Sequence, residues 1–155
     1  MNEIVTQKLD EGDGSYWRTR VVGDGPWTNE PDKIQGVDEA TGLAYLIVRH
    51  TSSGHLCGYV GVPSNHPCYM MDYSDVPVDV HGGLTYGSKC SGVICHVPQP
   101  GEPDDIYWLG FDCAHSMDLS PTTLQARSGS VREYRTISYV REECKKLAAR
   151  LAQLG

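Results

Sequence analysis

Two short runs concentrate the groups able to do chemistry. They are Asp79-Val80-His81-Gly82-Gly83-Leu84-Thr85 and Gly110-Phe111-Asp112-Cys113-Ala114-His115, the second followed by Asp118. The second run continues the aromatic stretch Tyr107-Trp108-Leu109, so an apolar strand leads directly into a carboxylate, a thiol and an imidazole. If the strand persists, Cys113 and His115 share one face and Asp112 takes the other. His81, His115 and one carboxylate are the right types for a mononuclear metal site. However, the chain has neither the paired C-x-x-C knuckles of structural zinc sites nor an H-E-x-x-H run. No metal and no cofactor are therefore expected. Cys113 beside His115 offers a nucleophile and a base, but two residues of one strand rarely reach each other, and no Gly-x-Ser-x-Gly elbow occurs. Cys57 and Cys113 sit in apolar surroundings, where a core thiol is the ordinary reading. The run His81–Thr85 has two readings, which stay open: a nest of backbone N–H groups with the Thr85 hydroxyl for an anion, or a hairpin turn.

The aromatic and polar residues around these runs suggest a pocket. Tyr59, Tyr69, Tyr73, Tyr86, Tyr107 and Trp108 supply flat amphipathic surfaces, and His66, Asp79, His81, Asp112, His115 and Asp118 supply hydrogen-bonding groups. Stacking surfaces with convergent carboxylates suit a base and its ribose. The candidate ligand-binding set is Tyr59, His66, Asp79, His81, Gly82, Gly83, Thr85, Trp108, Asp112, His115 and Asp118. Were the chain an enzyme, His81, Asp112 and His115 would carry the reaction.

The elements that must hold these groups are mostly strands. Leu43–Arg49 and Leu56–Val62 read as a hairpin across Thr51-Ser52-Ser53-Gly54, and Val93–Val97 and Ile106–Phe111 as two further strands. Pro63–Asp79 is punctuated by three prolines and reads as a long functional loop. Residues 1–24 read as an N-terminal arm, frayed to residue 15, with a short strand over Tyr16–Val22; Trp27–Gly42 reads as a polar loop anchored by Trp27. Residues 25–155 form the single domain. Ile137, Val140, Cys144, Leu147, Leu151 and Leu154 recur at spacings of three and four, which predicts an amphipathic helix capped by Thr136 or Ser138. The fold class is α+β: a mainly antiparallel sheet with long loops and one C-terminal amphipathic helix.

Composition narrows the partners. A net charge of -7 disfavours a nucleic-acid polymer, which rewards clustered Lys and Arg. No apolar run approaches a membrane span, so no membrane association and a cytoplasmic location are expected. In that compartment the six cysteines read as buried small hydrophobes or ligands rather than as three bridges. Residues 131–155 hold six Lys/Arg against three Glu on an otherwise acidic chain, which reads chiefly as self-complementary packing and a solvated helix face.

The sequence resembles a family of small uncharacterised accessory proteins of tailed phages and prophages. The resemblance spans about Pro26 to Leu154. It rests on Gly25-Pro26-Trp27, Val37-Asp38-Glu39-Ala40-Thr41-Gly42-Leu43, Leu56-Cys57-Gly58-Tyr59-Val60-Gly61-Val62, the two runs that open this section, Tyr134-Arg135, and the helix strings Tyr139-Val140 and Glu143-Cys144. It implies a non-virion role in the cytoplasm of an infected bacterium. Many phage accessory proteins of this size blunt host defence, some by sequestering signalling nucleotides. Three functions follow as expectations: binding of a small nucleotide-like molecule, with a homodimer through the C-terminal helix as one arrangement; metal-assisted or acid–base phosphodiester hydrolysis; and inhibition of a host enzyme docked on the basic helix.

Overall fold

The computed structural model describes residues 3–9, 16–21, 23–98, 100–122 and 132–155. Its centre is the strand β4 (Leu56–Val62), buried at all seven positions. The strand β3 (Ala44–Arg49) pairs with it on one side and β6 (Tyr107–Asp112) on the other, all antiparallel. Outside these lie β2 (Lys33–Val37) and β1 (Ile4–Thr6) beyond β3, and β5 (Tyr86–Lys89) beyond β6. The six-stranded order is β1-β2-β3-β4-β6-β5. The α+β expectation holds: a wholly antiparallel sheet carries one C-terminal helix, α1 (Ile137–Leu154).

Alternation along the strands divides the apolar residues between two faces. Leu56, Val60, Val62, Leu109 and Phe111 face the helix, which returns Val140, Cys144, Leu147, Ala148 and Leu151, all fully buried. Each large side chain buried this way stabilises the fold by roughly 2 kcal/mol before entropy is counted. Gly58 lets the layers approach, because a Cβ there would run into the Phe111 ring and the Cys144 sulfur. On the opposite face, Leu46, Val48, Cys57, Tyr59 and Trp108 form a second cluster, covered in part by Val93 and Ile94. Thr136 caps α1 as the spacing indicates, its hydroxyl accepting from the Tyr139 N–H; Leu154 alone of the predicted stripe is exposed. Among the described residues no helix is long and apolar enough to cross a membrane.

Several sequence expectations need correction. The arm is built into the sheet, since β1 pairs with β2 from Ile4↔Gln35 to Thr6↔Lys33. Tyr16–Thr19 is a 3-10 turn rather than a strand: it drops Trp17 into the core, with the Arg18 and Arg49 guanidinium groups over its ring. Residues 10–15 and Val22 lie outside the described residues. The polar loop Trp27–Gly42 contains β2, whose Gln35 is buried because its amide pairs with the Val97 backbone. Residues 93–97 are not a strand. Cys90 and Cys95 are joined in a disulfide that closes a tight loop with a single bridge, Ser91↔Ile94, and the edge strand forms earlier, at β5. That pair also corrects the cysteine reading, while Cys57, Cys68, Cys113 and Cys144 are free and buried as expected.

A buried charge cluster ties the start of the chain to its end. Arg49, fully buried, donates to Asp32 Oδ1, Glu30 Oε1, the Gly54 and Pro31 carbonyls and the Tyr134 hydroxyl. Asp32, also fully buried, accepts in addition from Arg18 and the Leu9 N–H. A guanidinium with five donors is the side chain able to satisfy so many acceptors at once.

Candidate functional site

The two motif runs meet at the end of β6. The strand stops at Asp112, and the next residues turn: Cys113 N–H donates to the Leu56 carbonyl, and Asp118 N–H donates back to the His115 carbonyl. This puts Cys113 in the core and carries His115 back over Asp112, the two side chains lying 3.1 Å apart. The expected alternation, with Cys113 and His115 on one face and Asp112 on the other, fails because the strand ends first. The His115–Asp112 contact lacks hydrogen-bond geometry, and His115 Nε2 is buried with no hydrogen-bond partner among the described residues.

The organising group is Asp118, almost wholly buried. Its Oδ2 accepts from His81 Nε2 at 2.8 Å and from the His115 N–H at 3.0 Å, and its Oδ1 accepts from Arg135 Nε at 2.7 Å. Burial alone would raise the Asp118 pKa, but the hydrogen bonds from Arg135, His81 and the His115 N–H outweigh it and hold the carboxyl below its ordinary range. With Nε2–H donated to Asp118, His81 Nδ1 accepts the Tyr139 hydroxyl at 2.7 Å, so both ring nitrogens are engaged. Arg135 lies over the Tyr139 ring at 5.0 Å.

The Gly-Gly run is a turn. Gly82 and Gly83 have φ of +67° and +83°, and Gly83 N–H donates to the Val80 carbonyl. Gly82 meets a second demand, since any Cβ there would strike the His115 ring. Glu143 Oε1, one turn along α1 from Tyr139, accepts the His81 N–H at 3.0 Å.

The structure therefore assembles His81, Gly82, Gly83, Thr85, Asp112, His115 and Asp118. Thr85 is exposed, its hydroxyl 3.4 Å from Asp112. It leaves the other candidates elsewhere. Tyr59 and Trp108 are buried on the face away from the helix. His66 bonds the Leu151 carbonyl near the end of α1 and accepts the Cys68 N–H, and Asp79 offers its backbone carbonyl to Arg150. Sequence reasoning missed Arg135, Tyr139 and Glu143 as members of the site. The four-residue spacing of Tyr139 and Glu143, which puts both on one helix face, was the available signal. Among the described residues no three His, Cys, Asp or Glu side chains form a group able to hold a metal ion.

An open cleft of 490 Å³ lies on the other face of the sheet, between β1–β3 and the segment that follows the disulfide loop. Its walls include Ile4, Gln35, Val37, Glu39, His96 and Glu102, and a second hollow of 120 Å³ shares Val37, His96 and Glu102 with it and continues over Leu43, Pro63 and Ile106. The outer wall is pinned to β2. Lys33 Nζ donates to the Cys95 carbonyl at 2.7 Å, and Gln35 exchanges two 2.8 Å hydrogen bonds with the Val97 backbone. His96 packs edge-on against Trp108, and burial lowers its pKa, which favours the neutral ring. Glu3 also lines the cleft, but its carboxylate is held by Arg141 and the Tyr45 hydroxyl. No Lys or Arg is among the lining residues of either hollow.

No family model, curated protein or solved structure matches the chain.

Proposed function

We propose that this chain acts by binding a small molecule rather than by transforming one, and that the ligand sits in the 490 Å³ cleft. The observation that carries this is the contrast between the two sites. At the motif site both His81 nitrogens are committed to Tyr139 and Asp118, and His115 Nε2 is buried against the Asp112 carboxylate, 3.1 Å away. A general base must reach the proton it removes, and His81, with both nitrogens bonded inside the chain, does not. The cleft has the size of a small-molecule site and combines apolar walls with a few polar groups.

The sequence-based expectation of a nucleotide-like ligand is narrowed by the lining. Without Lys or Arg to meet phosphates, and with Glu39 and Glu102 present, the cleft suits the neutral part of such a molecule better than its anionic part. The accessory-protein resemblance adds a setting, sequestration of a small signalling molecule in an infected cell. Docking through the basic helix and dimerisation through it draw less support. The apolar stripe of α1 is spent on the sheet, and Arg141, Lys145 and Lys146 pair with Glu3, Glu142 and Glu143.

Thermal-shift and calorimetric titration with nucleosides, nucleotides and cyclic dinucleotides tests the proposal, alongside phosphodiester substrates. Binding without turnover is expected, unaffected by His115→Ala. Turnover lost in His81→Ala or His115→Ala would overturn it.

A further inference from the structure

We infer that the Cys90–Cys95 disulfide is a redox latch, whose reduction releases the segment crossing the second face of the sheet and uncovers the Cys57 thiol beneath it. The two cysteines are only five positions apart in sequence. A cross-link over so short a loop removes little freedom from the unfolded chain, so it does little for the fold as a whole and acts locally. What it acts on is lightly held. Ser91 and Ile94 exchange two backbone hydrogen bonds, of 3.1 and 3.0 Å, across a turn in which Gly92 has φ of +55°. Val93 and Ile94 are only partly buried against the apolar cluster of that face.

The path of the segment says which thiol it covers. Lys33 Nζ holds the Cys95 carbonyl at 2.7 Å, and Lys33 stands in register with Val48, which stands in register with Cys57. Directly opposed residues of antiparallel strands share a face. Val48 and Cys57 belong to the cluster against which Val93 and Ile94 pack, so the segment lies over the row that buries Cys57. Cys68, Cys113 and Cys144 belong to the cluster on the helix side and lie beyond its reach. Access then selects the bridge as the reactive group: Cys90 is exposed and Cys95 half-buried, whereas the four free thiols are buried. A dithiol reductant supplies the two electrons. Its thiolate bonds Cys90 Sγ as the S–S bond breaks, and Cys95 leaves as a thiolate and takes a proton. The reductant's second thiolate then displaces Cys90 and closes the reductant's own disulfide. The Lys33 ammonium at Cys95 favours that departure. The same segment carries His96 and the Val97 tie to Gln35, so reduction also loosens the outer wall of the cleft. Only the consequence for a ligand rests on the cleft being the ligand site.

The test labels the folded full chain with N-ethylmaleimide, before and after treatment with dithiothreitol and its removal under nitrogen, and reads each cysteine by peptide mass spectrometry. After reduction Cys90 and Cys95 are expected to react first. Cys57 should follow about tenfold faster than in the oxidised chain, with Cys68, Cys113 and Cys144 as protected as before. Cys90→Ser with Cys95→Ser should expose Cys57 to the same degree without any reductant, its circular dichroism spectrum unchanged. The labelling needs no ligand, so its result is separate from whether the cleft binds one. A bridge that dithiothreitol leaves intact in the folded chain would overturn the inference, as would a reduced chain in which Cys57 stays protected. All four buried thiols becoming reactive together would mark the bridge as a staple of the whole fold and overturn the local latch.

Discussion

Asp118→Asn is the sharpest perturbation of the motif site. The carboxylate takes three donors on two oxygens: His81 Nε2–H and the His115 N–H on Oδ2, and Arg135 Nε–H on Oδ1. Asparagine has one acceptor oxygen, so keeping the pair on Oδ2 turns an NH2 toward Arg135. One charge-assisted hydrogen bond is lost, and among the described residues the half-buried guanidinium keeps as its ion-pair partner Glu133, at 3.3 Å and largely exposed. Such a bond contributes about 1.5–3 kcal/mol, and the unpaired donor adds to the loss, giving a destabilisation of about 3 kcal/mol. For a chain of this size that lowers Tm by about 6–12 °C. Thermal and urea unfolding followed by circular dichroism at pH 7 read it out. The pH dependence supplies a second check. The folded pKa of Asp118 lies below the unfolded value of 3.8, so its stabilisation is complete above that value and is lost as pH falls through the folded pKa. The wild-type advantage over Asp118→Asn should therefore shrink below pH 4. A Tm within about 2 °C of wild type at pH 7 would refute the claim that this carboxylate is the structural hub.

Other perturbations probe separate parts of the molecule. Gly82→Ala must both adopt φ near +67° and displace the His115 ring, and should lower stability by about 2 kcal/mol or more in urea unfolding. Arg49→Met leaves Asp32 with Arg18 as its remaining cation and strips Tyr134 and Glu30 of theirs; about 3 kcal/mol is expected, read by the same assay. Burial, helped by the neighbouring His50, lowers the pKa of His55 from 6.5 to about 4. Stability should therefore decline by up to about 3 kcal/mol as pH falls from 6.5 toward 4, and His55→Phe should flatten that decline. The four free thiols are buried, and burial pushes Cys57 to about 12 and raises Cys113 and Cys144 as well. The native chain should react negligibly with a thiol reagent, the unfolded chain at four sites, and the unfolded reduced chain at six.

The sequence made the regular parts legible where one signal dominated. The helix carried its period of three and four from Ile137 to Leu151, and β4 stood out as a continuous apolar run because both its faces are covered. β2 was hidden because its buried Gln35 looks polar until Val97, sixty-two residues away, is known to bond it. Val93–Val97 misled in the opposite direction, since Val93 and Ile94 cover the second face from a disulfide-closed loop. The two motif runs, Asp112–Asp118 and His81–Thr85, do meet. What they lacked was the third party: Arg135, Tyr139 and Glu143, which turn a set of reactive-looking groups into a closed network. The cleft left almost no trace, because its walls come from three segments whose residues are individually unremarkable in type.

The most direct test of binding in the cleft, against catalysis at the histidines, is a fragment screen by ¹H–¹⁵N correlation spectra on the labelled chain. Hits are expected to move the amides around Val37, Ala44 and His96 and to leave those of His81, Asp112 and His115 in place. Hits that gather instead at Thr85, Asp112 and His115, with the cleft amides unmoved, would contradict it.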